Sequence, residues 1–112
     1  MKEKTVIGFI ERVKINGHEV LAKVDTGANR NSIDLDLASR LKLGPIVKKS
    51  TIISAHGKSF RPVIKAKIVL GGKTINALFN IASRSHLEYK VLIGKSILKL
   101  GYLIDPIKEC PK

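Results

Sequence analysis

Val20-Leu21-Ala22-Lys23-Val24-Asp25-Thr26-Gly27-Ala28 is the stretch on which the fold turns. An apolar, β-branched run ends in a carboxylate and then a glycine, so a strand would deliver Asp25 into a tight turn at the edge of a packed core. An Asp-Thr-Gly turn by itself is more often an ordinary side-chain-capped corner. The apolar residues before it matter because they would hold the carboxylate at the end of a rigid, buried element. Gly27 permits close backbone approach, and its N–H can donate to the Asp25 carboxylate. Thr26 offers a hydroxyl to a neighbouring backbone group.

Working outward, Asn16-Gly17 is a hairpin signal, because both residues tolerate positive φ. It joins one long expected strand, Thr5 to Ile15, to the returning strand Val20 to Val24. Beyond the turn, Ser32-Ile33 reads as a short strand, and Asp34 or Asp36 can cap a helix running to about Leu41. Gly44-Pro45 ends that helix. Val47 to Ser54 and Phe60 to Leu70 read as extended, joined around His56-Gly57-Lys58. Gly71-Gly72 turns the chain into a strand from Lys73 to about Ile81. A polar loop, Ala82 to Tyr89, leads to the short buried strand Val91-Leu92-Ile93. A helix over Ser96 to Leu100, stopped by Gly101, precedes a last strand at Tyr102-Leu103-Ile104. The expectation is an all-β protein with one or two short helices, its strands closed or sandwiched, forming one domain over residues 1–112.

The chain carries 21 Lys and Arg against 9 Asp and Glu, a net charge of +12. That field would attract anionic partners. The basic residues are scattered, however, with Lys48-Lys49 the sole adjacent pair, and no set of aromatics is placed to stack bases. Nucleic acid is therefore not the expected partner, and a solvated basic surface is. The single cysteine, Cys110, suits a reducing compartment. The apolar run after Met1-Lys2-Glu3-Lys4 is broken at Glu11, too short for a signal peptide, and no stretch is long enough to span a membrane. A soluble, cytoplasmic protein is expected.

Downstream, Leu92-Ile93-Gly94-Lys95-Ser96-Ile97-Leu98-Lys99-Leu100-Gly101 gives an apolar strand, a glycine and a short helix. Together with the Asp-Thr-Gly-Ala turn it resembles the retropepsin family of aspartic proteases, in element order across nearly the whole chain. The closer set Val24 to Ala28, Arg84-Ser85-His86-Leu87-Glu88-Tyr89, Val91 to Gly94 and Leu103-Ile104-Asp105-Pro106 resembles the family named ATP-dependent zinc proteases. Members of that family are often associated with glutamate ligases that tail ribosomal protein.

The resemblance implies a retropepsin-like barrel that is one protomer of a homodimer, and aspartic-type peptide hydrolysis. Asp25, Thr26 and Gly27 would be the catalytic turn. Two carboxylates must share a proton, and one Asp-Thr-Gly supplies only half the site, so Asp25 would face Asp25 of a partner. The hairpin at His56-Gly57 would be a flap over substrate, although it lacks the multiple glycines of retroviral flaps. Ala28, Asn29 and Arg30 would line the cleft. Asn29 stands where retroviral enzymes carry acidic residues, leaving an Asn29-to-Lys95 hydrogen bond in place of an ion pair. Arg30, the net charge and the family's context point to an acidic, glutamate-rich peptide. Arg84 would either bind a substrate carboxylate or pair with Glu88. A zinc hydrolase needs about three converging ligands. His18, His56 and His86 are the only histidines, with no His-Glu-x-x-His, so no metal and no cofactor are expected. ATP lacks a phosphate loop. The alternative function is a catalytically silent β-barrel that binds peptides or assists a partner enzyme.

Overall fold

The computed structural model describes residues 3–110; Met1-Lys2 and Pro111-Lys112, the ends of the expected domain, lie outside the described residues. Nine strands and two short helices follow one another along this stretch. The strands are β1 (Thr5–Ile7), β2 (Ile10–Ile15), β3 (His18–Val24), β4 (Asn31–Asp34), β5 (Ile46–Ser54), β6 (Gly57–Leu70), β7 (Lys73–Ala82), β8 (Val91–Ile93) and β9 (Tyr102–Ile104). Helix α1 spans Leu35–Arg40 and α2 spans Lys95–Leu98.

Strands β2-β3-β8-β4-β7-β6 are hydrogen-bonded in that order, and β6 returns to β2 through Lys14↔Val69 and Ile15↔Ile68. The sheet thereby closes into a six-stranded barrel, which leaves no free edge around its circumference. Strand alternation fills it. Ile64, Ala66, Ile68 and Leu70 point inward from β6, whereas Lys65 and Lys67 point out. Val13 and Ile15 do the same on β2, with Arg12 and Lys14 outside. Much of the basic excess thus occupies the solvent side of a two-residue period, as expected for strands with one buried face. Phe79 is the largest fully buried side chain at the centre.

Two turns follow their sequence signals. Asn16 and Gly17 adopt φ of 47° and 88°, the primed geometry that matches strand twist. Gly71 and Gly72 do likewise at 59° and 80°. Beyond the barrel, β5 pairs only with the first half of β6, from Ile46↔Ile64 to Ser54↔Gly57, so this hairpin projects as an arm. Ile53, at 76% exposure, and Phe60, at 65%, lie uncovered on it.

The expected single strand from Thr5 to Ile15 is in fact two. β1 leaves the barrel and pairs in parallel with β9, Thr5↔Tyr102 to Ile7↔Ile104. The break falls at Gly8-Phe9, where Gly8 N–H donates to the buried Glu11 carboxylate at 2.7 Å. The same carboxylate oxygen receives Lys108 Nζ at 2.6 Å, which ties the C-terminal segment to this corner. Helix α2 is also shorter than expected and begins one residue earlier, at Lys95, because Gly94 is its N-cap. No helix among the described residues is long and apolar enough to cross a membrane.

Glu11→Ala leaves the Gly8 N–H and the Lys108 ammonium without their shared acceptor. A loss of about 2 kcal/mol in denaturant unfolding is expected, with faster amide exchange confined to residues 105–110 and the Gly8 corner.

Candidate active site

β8 is inserted between β3 and β4, the two strands that flank the Asp25 turn. It runs parallel to β3 (Ala22↔Val91 to Val24↔Ile93) and antiparallel to β4 (Ser32↔Leu92, Ile33↔Val91). The loop between β3 and β4 therefore has to pass over the end of β8. Asp25 N–H donates to the Ile93 carbonyl at 2.9 Å, Lys95 N–H to the Ala28 carbonyl at 2.8 Å, and Ser96 N–H to the Asn29 carbonyl at 3.1 Å. Between them, Gly94 N–H donates to Asn31 Oδ1 at 2.8 Å, and Asn31 Nδ2 donates to the Leu78 carbonyl at 3.0 Å. A Cβ on Gly94 would run into the Arg30 carbonyl, so the two backbones can cross only at glycine.

Asp25 is half-buried at the end of β3, and its Oδ1 accepts from Gly27 N–H at 2.8 Å, as the sequence suggested. Thr26 and Gly27 are exposed. Among the described residues the Thr26 hydroxyl has no hydrogen-bond partner within the chain. The other three aspartates do not join Asp25. Asp34 caps α1, Asp36 lies in its first turn, and Asp105 accepts from Ile107 N–H.

The remaining expected residues divide into four groups. Ala28 and Asn29 act through their carbonyls, which hold α2; the Asn29-to-Lys95 side-chain bond is replaced by this backbone pairing. Arg30 lines a cavity of about 210 Å³ with Lys48, Val63, Leu78, Asn80 and Ser96. His56 and Gly57 form the tip of the β5–β6 arm, where His56 N–H donates to Ser54 Oγ at 3.2 Å; among the described residues no hydrogen bond links them to Asp25.

Arg84 lines a second cavity, about 180 Å³, with Lys23, Leu87, Glu88, Tyr89 and Leu92. It does not pair with Glu88. Its Nε donates to the Tyr89 carbonyl at 3.3 Å, and its guanidinium is pulled below its ordinary range by burial, opposed by Asp34, reinforced by Arg61 and opposed again by Asp25. A larger cavity of about 500 Å³ lies on the other side of Tyr89, between Phe9, Leu21 and Lys108, and contains none of the Asp-Thr-Gly residues.

Three organising residues were not singled out from sequence. Asn31 could have been, since it is polar yet two positions before inward-facing Ile33 on the same strand face. Asp34, at 2% exposure, was read only as a helix cap. Its Oδ2 does accept from Leu37 N–H at 3.2 Å, but Oδ1 also accepts from Arg84 N–H at 2.7 Å. Lys90 carries no sequence signal at all.

The three histidines stand in separate elements: His18 opens β3, His56 tips the arm, and His86 lies in the 83–90 loop. Among the described residues no three His, Cys, Asp or Glu side chains form a group that could hold a metal. The donors present do not fit a zinc centre.

Residues 34–110 match the family model described as RimB-like, the retropepsin-like aspartic endopeptidase RimB. The chain belongs to this family. The matched span begins after the Asp25 turn and takes in α1, the β5–β6 arm, the Arg84 loop and β8-α2. The narrower zinc-protease kinship is not confirmed by it. No curated protein matches the chain.

Among solved structures, a protein of unknown function, Lpg0085 from Legionella pneumophila, superposes with a TM-score of 0.70 at 22% identity, covering 95% of this chain and 96% of that one. The EIAV protease complexed with the inhibitor HBY-793 gives 0.69 at 22% identity, covering 86% and 90%. The simian foamy virus protease gives 0.64 at 18%, covering 80% and 91%. The RimB-like chain therefore has the retropepsin fold.

Two expectations follow for this site. Gly94→Ala should cost about 1–3 kcal/mol by forcing the crossing backbones apart, visible as a lowered Tm. Asp34 gives a pH dependence: burial works to raise its carboxyl, but N–H donation from Arg84 and Leu37 and the Lys90 charge prevail, leaving it below 3.8. Because the folded value is depressed, its contribution is complete above about pH 4 and is lost as pH falls through the folded value. Asp34→Asn should therefore flatten the acid limb of a stability-versus-pH curve and lower stability at pH 7 by about 1–2 kcal/mol.

Proposed function

We propose that this RimB-like chain is one protomer of a homodimeric, cytoplasmic aspartic peptidase acting on acidic peptides, with Asp25 of each protomer forming the catalytic pair. The observation that carries the reading is the Asp25 turn itself. Its carboxylate is held by Gly27 N–H at 2.8 Å, Thr26 is exposed with no side-chain hydrogen bond among the described residues, and Asp34, Asp36 and Asp105 belong to the α1 cap, its first turn and the Ile107 turn. A pair of such turns across a two-fold axis would bring two carboxylates together, and like charges at that range retain one proton between them.

In the reaction, the ionised carboxylate takes a proton from water while the protonated one donates to the scissile carbonyl oxygen. Attack at the carbonyl carbon gives a tetrahedral diol. Proton delivery to the amide nitrogen then breaks the C–N bond, releasing a carboxylic acid and an amine and restoring the shared proton. Thr26 and Gly27 would brace the pair, and the β5–β6 arm with His56 and Gly57 would cover the substrate and exclude water. The acidic preference is supported by the two small cavities. One carries Arg30 and Lys48, the other Lys23 and Arg84. Each pairs cationic side chains with apolar walls, as the stem and carboxylate of a glutamate require.

Purified protein should cleave a glutamate-rich peptide at mildly acidic pH, more readily than its glutamine analogue. Asp25→Asn should reduce turnover by about four orders of magnitude with the fold intact. In mixtures of wild-type and Asp25→Asn chains, activity should follow the square of the wild-type fraction. A linear dependence, or an active monomer in sedimentation, would refute the shared site. Binding without cleavage by the wild type would instead identify a silent peptide-binding barrel.

A further inference from the structure

The 83–90 loop is polar and mostly exposed, yet it is tied down more firmly than a surface connection needs. Its two ends close on one residue of β4. Arg84 N–H donates to Asp34 Oδ1 at 2.7 Å, and Asp34 N–H donates to the Lys90 carbonyl at 2.8 Å. The interior is gathered by a single ammonium. Lys90 Nζ donates to the carbonyls of Ser85 at 2.6 Å, Leu87 at 2.8 Å and Arg84 at 3.3 Å. Three N–H groups meet three carbonyls, which is the full donor capacity of a lysine.

A surface lysine ordinarily stays hydrated and mobile, and ordering its long side chain costs about 2 kcal/mol of entropy. What the arrangement secures is the position of Arg84. That residue is fixed at its N–H by Asp34, at its carbonyl by Lys90 and Leu87 N–H, and at its Nε by the Tyr89 carbonyl. Arg84 lines a cavity together with the acidic Glu88 and with Lys23 and Leu92, which are register partners one residue before Val24↔Ile93. Asp25 follows immediately and influences the Arg84 charge.

We propose that Lys90 is a positioning residue, which folds the 84–89 turn around its ammonium so that the Arg84 guanidinium is presented to a substrate carboxylate in the cavity beside the Asp25 turn. The inference rests on the peptidase reading for its kinetic consequence, but its structural consequence is separate. With Lys90 in place, Arg84 meets a carboxylate already ordered, so binding does not have to pay for aligning it. Without Lys90, the Ser85 and Leu87 carbonyls lose their donor and the Arg84 carbonyl keeps only Leu87 N–H, so the turn opens to water, and Arg84 keeps its charge but not its place. The effect belongs in affinity for acidic substrate, because Arg84 acts on a remote side chain rather than on the reacting atoms.

Lys90→Met retains the stem and removes the ammonium. On a glutamate-rich peptide it should raise KM about tenfold, with kcat within about twofold. On the glutamine analogue KM should not change. Arg84→Gln should give the same rise, and the double variant no further rise, since both act through one group. Independently of cleavage, the Arg84 Nε–H resonance should be protected from solvent exchange in the wild type and lose that protection in Lys90→Met. Should Lys90→Met fail to fold, Lys90→Gln, which can still donate to part of the set, should give an intermediate rise and intermediate protection.

If no peptide is cleaved by the wild type, the peptidase reading fails and the exchange measurement still decides the role of Lys90. Retained protection of Arg84 in the Lys90 variants overturns the proposal. So does a fall in kcat of equal size on both peptides, the mark of a merely structural residue.

Discussion

The contact on which the rest of the structure depends is the hydrogen bond from Gly94 N–H to the buried Asn31 side chain. A backbone donor at the end of a buried strand must find an acceptor, or the burial costs the full desolvation of that group. Asn31 provides it, and its amide nitrogen in turn reaches Leu78 on β7. Three elements distant in sequence are thereby held at one point: the loop carrying Asp25, the start of α2, and the wall of the barrel. The absence of a side chain at residue 94 is what allows the approach. A carboxylate placed on a loop would ordinarily wander. Here the loop is pinned on both sides by β8 and α2, so the Asp25 carboxylate inherits the rigidity of the barrel.

Much of this was legible from residue order because short-range chemistry and the long-range fold agree. The Asn16-Gly17 and Gly71-Gly72 turns demanded positive φ and have it. Of the two candidate caps, Asp34 and Asp36, Asp34 takes the role. Alternation along β6 set which residues face the core. What could not be read were choices made by distant partners. Nothing local to Thr5–Ile15 shows that Ile7 finds Ile104 while Ile10 finds Lys23. Glu11 looks like any charged residue in a strand until Lys108 arrives beside it. Arg84 has Glu88 at a suitable spacing, yet the carbonyl of Tyr89 is closer to where the turn leaves its Nε. The expected Asn29-to-Lys95 bond does not form either, since Lys95 N–H goes to the Ala28 carbonyl and the Asn29 carbonyl accepts from Ser96.

The charge distribution also has a simpler origin than the total suggests. Most lysines on the barrel occupy outward positions fixed by strand alternation and say little about partners. Lys23, Arg30, Lys48 and Arg84 differ from these, because they line small cavities together with apolar side chains. A net charge of +12 speaks for long-range attraction of anions; the selectivity proposed above rests instead on the location of these few cations.

The parallel pairing of β1 with β9 has a consequence for how the protein is made. Its partners lie at opposite ends of the described chain, so the ladder is among the most non-local contacts in the fold. Closing such a loop carries a large entropic cost before any contact rewards it, and topologies of this kind fold slowly. During synthesis, β1 emerges first and must wait for Tyr102–Ile104, its hydrogen-bonding groups and the flank of Ile7 uncovered meanwhile. The barrel can begin from β2 and β3, whose hairpin is local. Until then the waiting strand is open to chaperones, proteases or a wrong strand.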